Sequence, residues 1–353
     1  MFMLGPVALP CELMTHFRLQ FTLVLIVMTG ALFALKLRNY GIISLVALVM
    51  NAVPIILLYA PQNASANPEA SAGARAQSGA EGEAGPAKES SPTTESSPTK
   101  ESSPIKVRLI SSNVNNRNKS YKEVLEVLSS KDADIICINE LAPKMSEFLK
   151  ENLKSYPYNC LGAREDCFGI GVFSRYPLVA PKVVTLSGSG VPTVVTDVDV
   201  NGKHFRLIST HPTPPVSVQW FNWRNQQFSE LAKLSRGSDI PVVVAGDLNS
   251  TCWSPYFERL LQDGSLYDSE KGFGLQPSWP TALLPTFTVF KIPIDHILAQ
   301  GAFRIGKREI LADLGSDHYP LFVEIECRNL PSLVHDTVGG AAPEIPARAG
   351  SAP

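Results

Sequence analysis

The polar residues that stand out in this 353-residue chain fall where apolar runs stop. Pro241-Val-Val-Val-Ala245 is followed by Gly246-Asp247-Leu248-Asn249. Side chains alternate along a strand, so Asp247 and Asn249 share one face just beyond a closely packed glycine. A carboxylate beside an amide suits a water molecule and a phosphate oxygen. Asn113 follows a first strand, and Glu140 closes Ile135-Ile-Cys-Ile-Asn-Glu140. His211 follows Leu207-Ile-Ser-Thr210 and precedes Pro-Thr-Pro-Pro. In Pro293-Ile-Asp-His-Ile-Leu298, alternation puts Asp295 and Ile297 on one face and His296 on the other. Asp317-His318 sits between Gly315-Ser316 and Tyr319-Pro320. Taken singly, each has an ordinary explanation: a strand-end carboxylate is commonly just solvated, and a lone histidine is commonly structural. Asn249-Ser250-Thr251 is formally a glycosylation sequon, but an asparagine lodged in a site cannot carry a glycan.

These residues need strands to hold them. Lys106 to Ser112 alternates like a strand, and Tyr121, Val124, Leu125 and Leu128 recur at helical spacing. Asp134 to Ile138 reads as a short buried strand, Met145, Phe148, Leu149 and Leu153 as a helix, and Gly169 to Ser174 as a strand. Thr193 to Val200, then Asn201-Gly202, then Lys203 to Ile208 is a hairpin with a type I′ turn signal. Gln219 to Leu234 is helical, with Phe221, Phe228, Leu231 and Leu234 as its apolar face. Pro241 to Ala245 is a fully buried strand, and Ile294 to Leu298 and Leu321 to Ile325 supply two late ones. Strands outnumber helices, and the helices lie between hairpins. That pattern predicts an α/β fold over 105–330: a four-layer α/β sandwich of two packed mixed β-sheets with outer helices.

The remaining chain is unlike this domain. Residues 1–60 carry three basic residues and one acid and are mostly apolar. Phe17 to Leu35 and Gly41 to Ala60 are each about 20 residues long, enough to cross a hydrocarbon core of roughly 30 Å. Two such stretches in succession argue against a cleaved signal peptide and for a membrane anchor with two transmembrane helices. The turn between them holds Lys36 and Arg38, and no Lys or Arg follows until Arg75. The positive-inside rule then keeps the turn cytoplasmic and sends both ends, and the domain, outside the cytoplasm. Residues 61–104 are Ala-, Gly-, Ser-, Pro- and Glu-rich, with ESSP starting at Glu89, Glu95 and Glu101. Such a segment has too little apolar surface to fold and reads as a disordered tether, and 331–353 as a disordered tail.

The ordered set of Asn113, Glu140, Thr-His-x-x-Pro, Gly-Asp-x-Asn, Pro-Ile-Asp-His-Ile and Gly-Ser-Asp-His-Tyr-Pro resembles the endonuclease/exonuclease/phosphatase superfamily. Pancreatic deoxyribonuclease, abasic-site endonuclease, sphingomyelinase and inositol polyphosphate 5-phosphatase typify that superfamily. The resemblance covers about 105–327, and its specific part is Gly-Asp-x-Asn together with Ser-Asp-His. The two spans and the basic turn look like its membrane-anchored bacterial branch, whose members often have three spans. On that likeness, residues 1–16 would be an outer loop left by a missing first span. Asn139 departs from the pattern, standing where the family usually has Gln before its metal-binding Glu. The resemblance implies in-line hydrolysis of a phosphate ester with a hard divalent cation, Mg²⁺ or in its place Mn²⁺. Glu140 would be its main ligand, with Asn113 nearby and Asp317 contributing directly or through water. Asp247 would orient and deprotonate the attacking water, and Asn249 would hold a phosphate oxygen. His318, aligned by Asp295, would bind the scissile phosphate. His211 would donate to a phosphate oxygen or protonate the leaving group.

Composition narrows the substrate only in part. Residues 105–330 carry 24 basic and 24 acidic residues. That balance lacks the basic excess of a high-affinity DNA binder. The expected partners are the membrane and a phosphate ester, whether nucleic acid, lipid headgroup or small molecule; no protein partner is expected. The alternative reading is a catalytically inactive, membrane-tethered binding module. Among the six cysteines, Cys137 reads as a buried free thiol. Cys160 and Cys167 flank a polar turn and read either as a disulfide in an oxidising compartment or as two unrelated thiols.

Overall fold

The computed structural model describes residues 5–61, 104–281, 288–328 and 330–332. The expected tether and tail therefore lie almost wholly outside the described residues. Residues 105–327 form two six-stranded sheets. The first runs in the order β11 (Phe303–Ile310), β12 (Leu321–Cys327), β1 (Ile105–Asn113), β2 (Ile135–Asn139), β4 (Ile170–Ser174), β3 (Tyr158–Gly162). The second runs β5 (Leu178–Thr185), β6 (Pro192–Val200), β7 (Lys203–Thr210), β8 (Val242–Asp247), β10 (Asp295–Gln300), β9 (Leu266–Asp268). Both sheets are mixed, as the sequence predicts. β1 pairs parallel with β2 and β7 with β8, and the other described pairs are antiparallel.

Each parallel pair needs a crossover, and a helix supplies it. α4 (Tyr121–Ser129) joins β1 to β2, and α6 (Val218–Arg236) joins β7 to β8. With α5 (Pro143–Asn152) and α7 (Pro255–Gly264) they make the outer layers. Val124, Leu128, Met145 and Leu149 pack on Ile110, Ile136 and Ile138 of the first sheet. Phe228, Leu231, Phe257 and Leu260 pack on Ile208, Val242 and Val244 of the second. Leu109, Cys137, Val172, Leu207, Val243 and Ala245 fill the layer between the sheets. The unbroken apolar run of β8 thus has a cause. Val243 and Ala245 face the other sheet while Val242 and Val244 face the helices, so neither side can be polar. At the predicted hairpin, Asn201 and Gly202 both have positive φ, 56° and 81°, the backbone a type I′ turn requires.

The N-terminal region departs from the sequence reading. α2 (Arg18–Ala34) and α3 (Arg38–Ile56) lie side by side, joined by Lys36 at φ 60°, with Thr29 Oγ1 2.7 Å from Ser44 Oγ. Arg38–Tyr59 is long and apolar enough to cross a membrane. α2 meets that test only together with Leu9–His16, from which it is bent by 75°. The expected outer loop is itself a helix, α1 (Gly5–His16), and it packs on the domain against α6. Its Glu12 is buried because Arg224, also buried, donates to Oε1 at 3.0 Å. His16 Nδ1 lies 2.9 Å from Thr251 Oγ1. Where α3 ends, the Leu58 carbonyl accepts from the amides of Gly272 and Gly274 at 2.8 and 3.0 Å. Of the two readings of Cys160 and Cys167, the structure shows two separate thiols, with no disulfide among the described cysteines. Cys160 turns toward the layer between the sheets, whereas Cys167 sits beyond the turn within the field of Glu140 and Asp166.

Candidate active site

The two parallel pairs explain where the site is. Parallel strands put their carboxyl ends on one side, and ligands gather there. Asn113, Asn139, Thr210 and Asp247 are the last residues of β1, β2, β7 and β8. All four meet across the gap between the sheets. Asn139 Oδ1 accepts from the Asp247 amide at 2.9 Å, and its Nδ2 donates to the Thr210 carbonyl at 3.4 Å. Asn139 is therefore the brace that ties both sheets to the Asp247 backbone. This close approach requires Gly246, because a Cβ there would overlap the Thr210 carbonyl oxygen.

Asp247 is the hub. Its Oδ1 accepts from the Asn249 amide at 2.9 Å, and its Oδ2 accepts from Asn113 Nδ2 at 3.1 Å. His211 Nε2 and His318 Nε2 lie 3.3 and 3.6 Å from the same Oδ2. Asp295 Oδ2 meets His318 Nδ1 at 2.8 Å, which fixes the ring's orientation, and the His318 amide is held by Ser316 Oγ. Asn113 Nδ2 also donates to Glu140 Oε1 at 3.1 Å, so its amide nitrogen faces both carboxylates. Glu140 Oε2 accepts from the Asn116 amide at 3.2 Å. Asn249 Nδ2 donates to the Pro212 carbonyl beside His211. Glu140 and Asn249 have φ 57° and 49°. For residues other than glycine that backbone is strained, and such outliers cluster at functional sites. It turns both side chains out of their strand ends while they stay half-buried.

All eight residues singled out in the sequence come to this one end. Asp317 lies on its rim, where Oδ1 accepts from Asn115 Nδ2 at 2.8 Å and Oδ2 from Trp279 Nε1 at 3.2 Å. Asn115, with φ 58°, carries no sequence signal of this role beyond proximity to Asn113, and Trp279 carries none. Phe168 stacks obliquely on His211 at 5.6 Å, and Trp279 lies 6.4 Å from His318, so aromatic rings flank both histidines. His296 points to the opposite face, as alternation requires, and bonds Asp268.

Electrostatics sort the roles. Burial alone would lower the pKa of His318, but the carboxylates of Asp295 and Asp247 outweigh it and hold the ring up at about 10. Burial likewise opposes the charge on His211, and its hydrogen bond to Asp247 raises its pKa on balance. Asp247 is the converse: burial disfavours its charge, yet His318 and His211 hold it well below the usual carboxylate range. The charge on His318 stabilises the fold fully below its unfolded pKa of about 6.5, and that contribution is lost as pH rises through about 10. Asp295→Asn removes one of the two carboxylates. The ring should then titrate at least about one pH unit lower, read by NMR of the imidazole.

Four carboxylates converge here, and among the described residues the only ion-pair partners of Asp247 and Asp295 are the two histidines. Glu140 and Asp317 have no described ion-pair partner. An excess of oxygen donors with so little cationic cover fits a hard divalent cation. Asp247, Asp295 and His318 present ligand atoms within 4.8 Å of one another. A ring held protonated between two carboxylates is not a free ligand, however, which leaves the half-buried Glu140 carboxylate as the open one.

Comparisons with known proteins agree with this geometry. An endonuclease/exonuclease/phosphatase family protein from Bacteroides thetaiotaomicron superposes with TM-score 0.54 at 19% identity, covering 64% of this chain and 96% of its own. Its counterpart from Bacteroides vulgatus gives 0.53 at 18%, covering 63% and 99%. D. rerio TDP2, humanized by 14 mutations, gives 0.53 at 17%, covering 62% and 98%. No curated protein matches the chain. These likenesses show the fold. The family model described as "Endonuclease/Exonuclease/phosphatase family" matches residues 110–318, from β1 through His318. More than half of the sequence is matched, and the chain belongs to the endonuclease/exonuclease/phosphatase family.

Proposed function

We propose that this protein is a divalent-metal-dependent phosphoesterase anchored in a membrane by α2 and α3, with its catalytic domain outside the cytoplasm. Members of the family are usually hydrolases acting on phosphoester bonds. The observation that carries the reading is the chain Asp295–His318–Asp247, with Glu140 opposite it at the converged strand ends.

In this reading Glu140 holds the cation, with Asp317 on the rim contributing directly or through water and Asn113 fixing the Glu140 carboxylate. The cation, Mg²⁺ or Mn²⁺, supplies charge neutralisation at the phosphate. Asp247 is ionised, buried and pointed at the centre, so it orients a water and takes its proton. His318, cationic and fixed by Asp295, binds a phosphate oxygen as negative charge develops. Asn249 offers an amide to the same group. His211, whose pKa the contact with Asp247 raises, donates to a phosphate oxygen or to the departing alkoxide.

The test is hydrolysis by the full chain in detergent, with bis(p-nitrophenyl) phosphate, single-stranded DNA and phospholipid as substrates. Turnover should require Mg²⁺ or Mn²⁺ and stop with EDTA. Glu140→Gln should raise the metal concentration needed for half-maximal rate by at least about tenfold, roughly 1.4 kcal/mol of metal binding. Metal-independent turnover would overturn the mechanism, and no turnover of any phosphate ester would favour a binding module. Protease added to intact spheroplasts should release the domain. Protection until lysis would reverse the orientation.

A further inference from the structure

The hydrogen bonds described between the N-terminal helices and the domain are made at one end, and it is the end that holds the site. His16 meets Thr251, in the loop that leaves β8 after Asp247 and Asn249. Glu12 meets Arg224 of α6, the helix that follows His211. Gln20 donates to the Val289 carbonyl at 2.6 Å, in the segment that leads into Asp295. Leu58 accepts from Gly272 and Gly274, between β9 and Trp279. Gly274 has φ 77°, and a Cβ there would overlap the Tyr59 ring, so this seat is closely fitted. Gln20 lies in the first turn of α2, and Leu58 and Tyr59 follow the last turn of α3. The loops that carry the catalytic residues therefore sit directly on the membrane ends of the hairpin.

A second observation points the same way. Among the described residues of the domain, large apolar side chains that are exposed are few. Tyr158, Val179 and Val183 lie on the edge strands β3 and β5. The others are Val216 (75% exposed), Val218 (40%) and Phe290 (54%), and all three belong to segments at the active-site end. Val216 and Val218 follow His211, and Phe290 precedes Asp295. Exposed apolar residues at the rim of a site, beside helices suited to a bilayer, fit the interfacial region of that bilayer.

We propose that the site opens onto the bilayer surface and takes its phosphate ester from a membrane phospholipid, with Val216, Val218 and Phe290 seated among the acyl chains. This rests on the phosphoesterase and anchoring readings above. Water adds through its oxygen to the lipid phosphorus, and its proton passes to Asp247. The P–O bond to one alcohol breaks, and that alkoxide takes a proton from His211. The domain's balanced charge agrees, since a zwitterionic or singly anionic headgroup needs no basic groove.

The test uses the full-length protein reconstituted in vesicles of phosphatidylethanolamine and phosphatidylglycerol with Mg²⁺. The variant is Val216→Ser/Val218→Ser/Phe290→Ser, whose positions are exposed and outside the catalytic set. Wild type should release headgroup, free or phosphorylated, into the aqueous phase. The triple variant should do so at least tenfold more slowly, while its rate on bis(p-nitrophenyl) phosphate changes less than twofold. Equal vesicle turnover by the variant would overturn the seating of these residues. Hydrolysis of the soluble diester or of single-stranded DNA without vesicle turnover would overturn the lipid inference and leave the phosphoesterase reading intact. Hydrolysis of none would overturn both.

Discussion

Asp247→Asn should lower turnover by about 10²–10⁴-fold, the range expected when a general base is lost, and leave the fold intact. Asparagine keeps the shape and can still accept the Asn249 amide that Oδ1 holds at 2.9 Å. It cannot take a proton from water, and it removes the negative charge that His211 and His318 share. The pKa values of both rings should therefore fall, because the Asp247 carboxylate is one cause of their elevation. Three readings check this: the rate on bis(p-nitrophenyl) phosphate, the far-ultraviolet circular dichroism spectrum and the imidazole titrations by NMR. A rate within twofold of wild type would remove Asp247 from the mechanism. A collapsed spectrum would show that it is needed for folding, and the milder Asp247→Glu would then separate the two roles.

Arg224→Met should destabilise the protein by about 3–5 kcal/mol, the usual cost of leaving one member of a buried ion pair alone. Arg224 is 0% exposed. Its Nη2 serves Glu12 of α1, and its Nη1 donates to the Asn249 carbonyl at 3.0 Å. Glu12 has His16, at 3.2 Å, as its other described ion-pair partner. Removing the guanidinium leaves a buried carboxylate with His16 as its one described ion-pair partner, and frees the Asn249 backbone, which is held at a positive φ. The double variant Glu12→Leu/Arg224→Met should recover most of the stability, because burying two apolar groups avoids the desolvation that the pair opposes. It should not recover the positioning of Asn249. Thermal unfolding in detergent and the soluble-diester rate separate these effects. A single variant as stable as wild type would mean that α1 does not dock through this pair.

Much of the site was legible because its residues sit at the ends of strongly patterned strands. Val242 to Ala245 shows a run buried on both faces, and Gly-Asp-x-Asn marks where it stops. Alternation correctly separated Asp295 from His296. Periodicity shows which face a residue occupies but not what it meets there, and the misses follow from that. Arg224 and Gln227 lie on the buried face of α6 among Phe221, Phe228 and Leu231, where they break the apolar pattern. Their partners, Glu12 and the Thr193 and Thr210 hydroxyls, are distant in sequence. β5 and β11 were not read as strands. Both are edge strands with one neighbour, and so much of β5 is exposed that no alternation develops. α7 is amphipathic, but it occupies only Pro255–Gly264, too short for the pattern to stand out. The outer loop over residues 1–16 rests only on the likeness to a three-span branch, and nothing in that stretch reveals that Glu12 meets Arg224 until the fold brings the two together.

The seat of Leu58 and Tyr59 on Gly272 and Gly274 changes what the chain between Ala60 and Ile105 has to do. Both of its ends are already attached to one body, the first through this seat and the second through β1. It closes a ring on that body. The cost of closing a ring grows only with the logarithm of its length, about 0.6 kcal/mol for each doubling. One side chain added at Gly274, by contrast, would overlap the Tyr59 ring and break the seat itself.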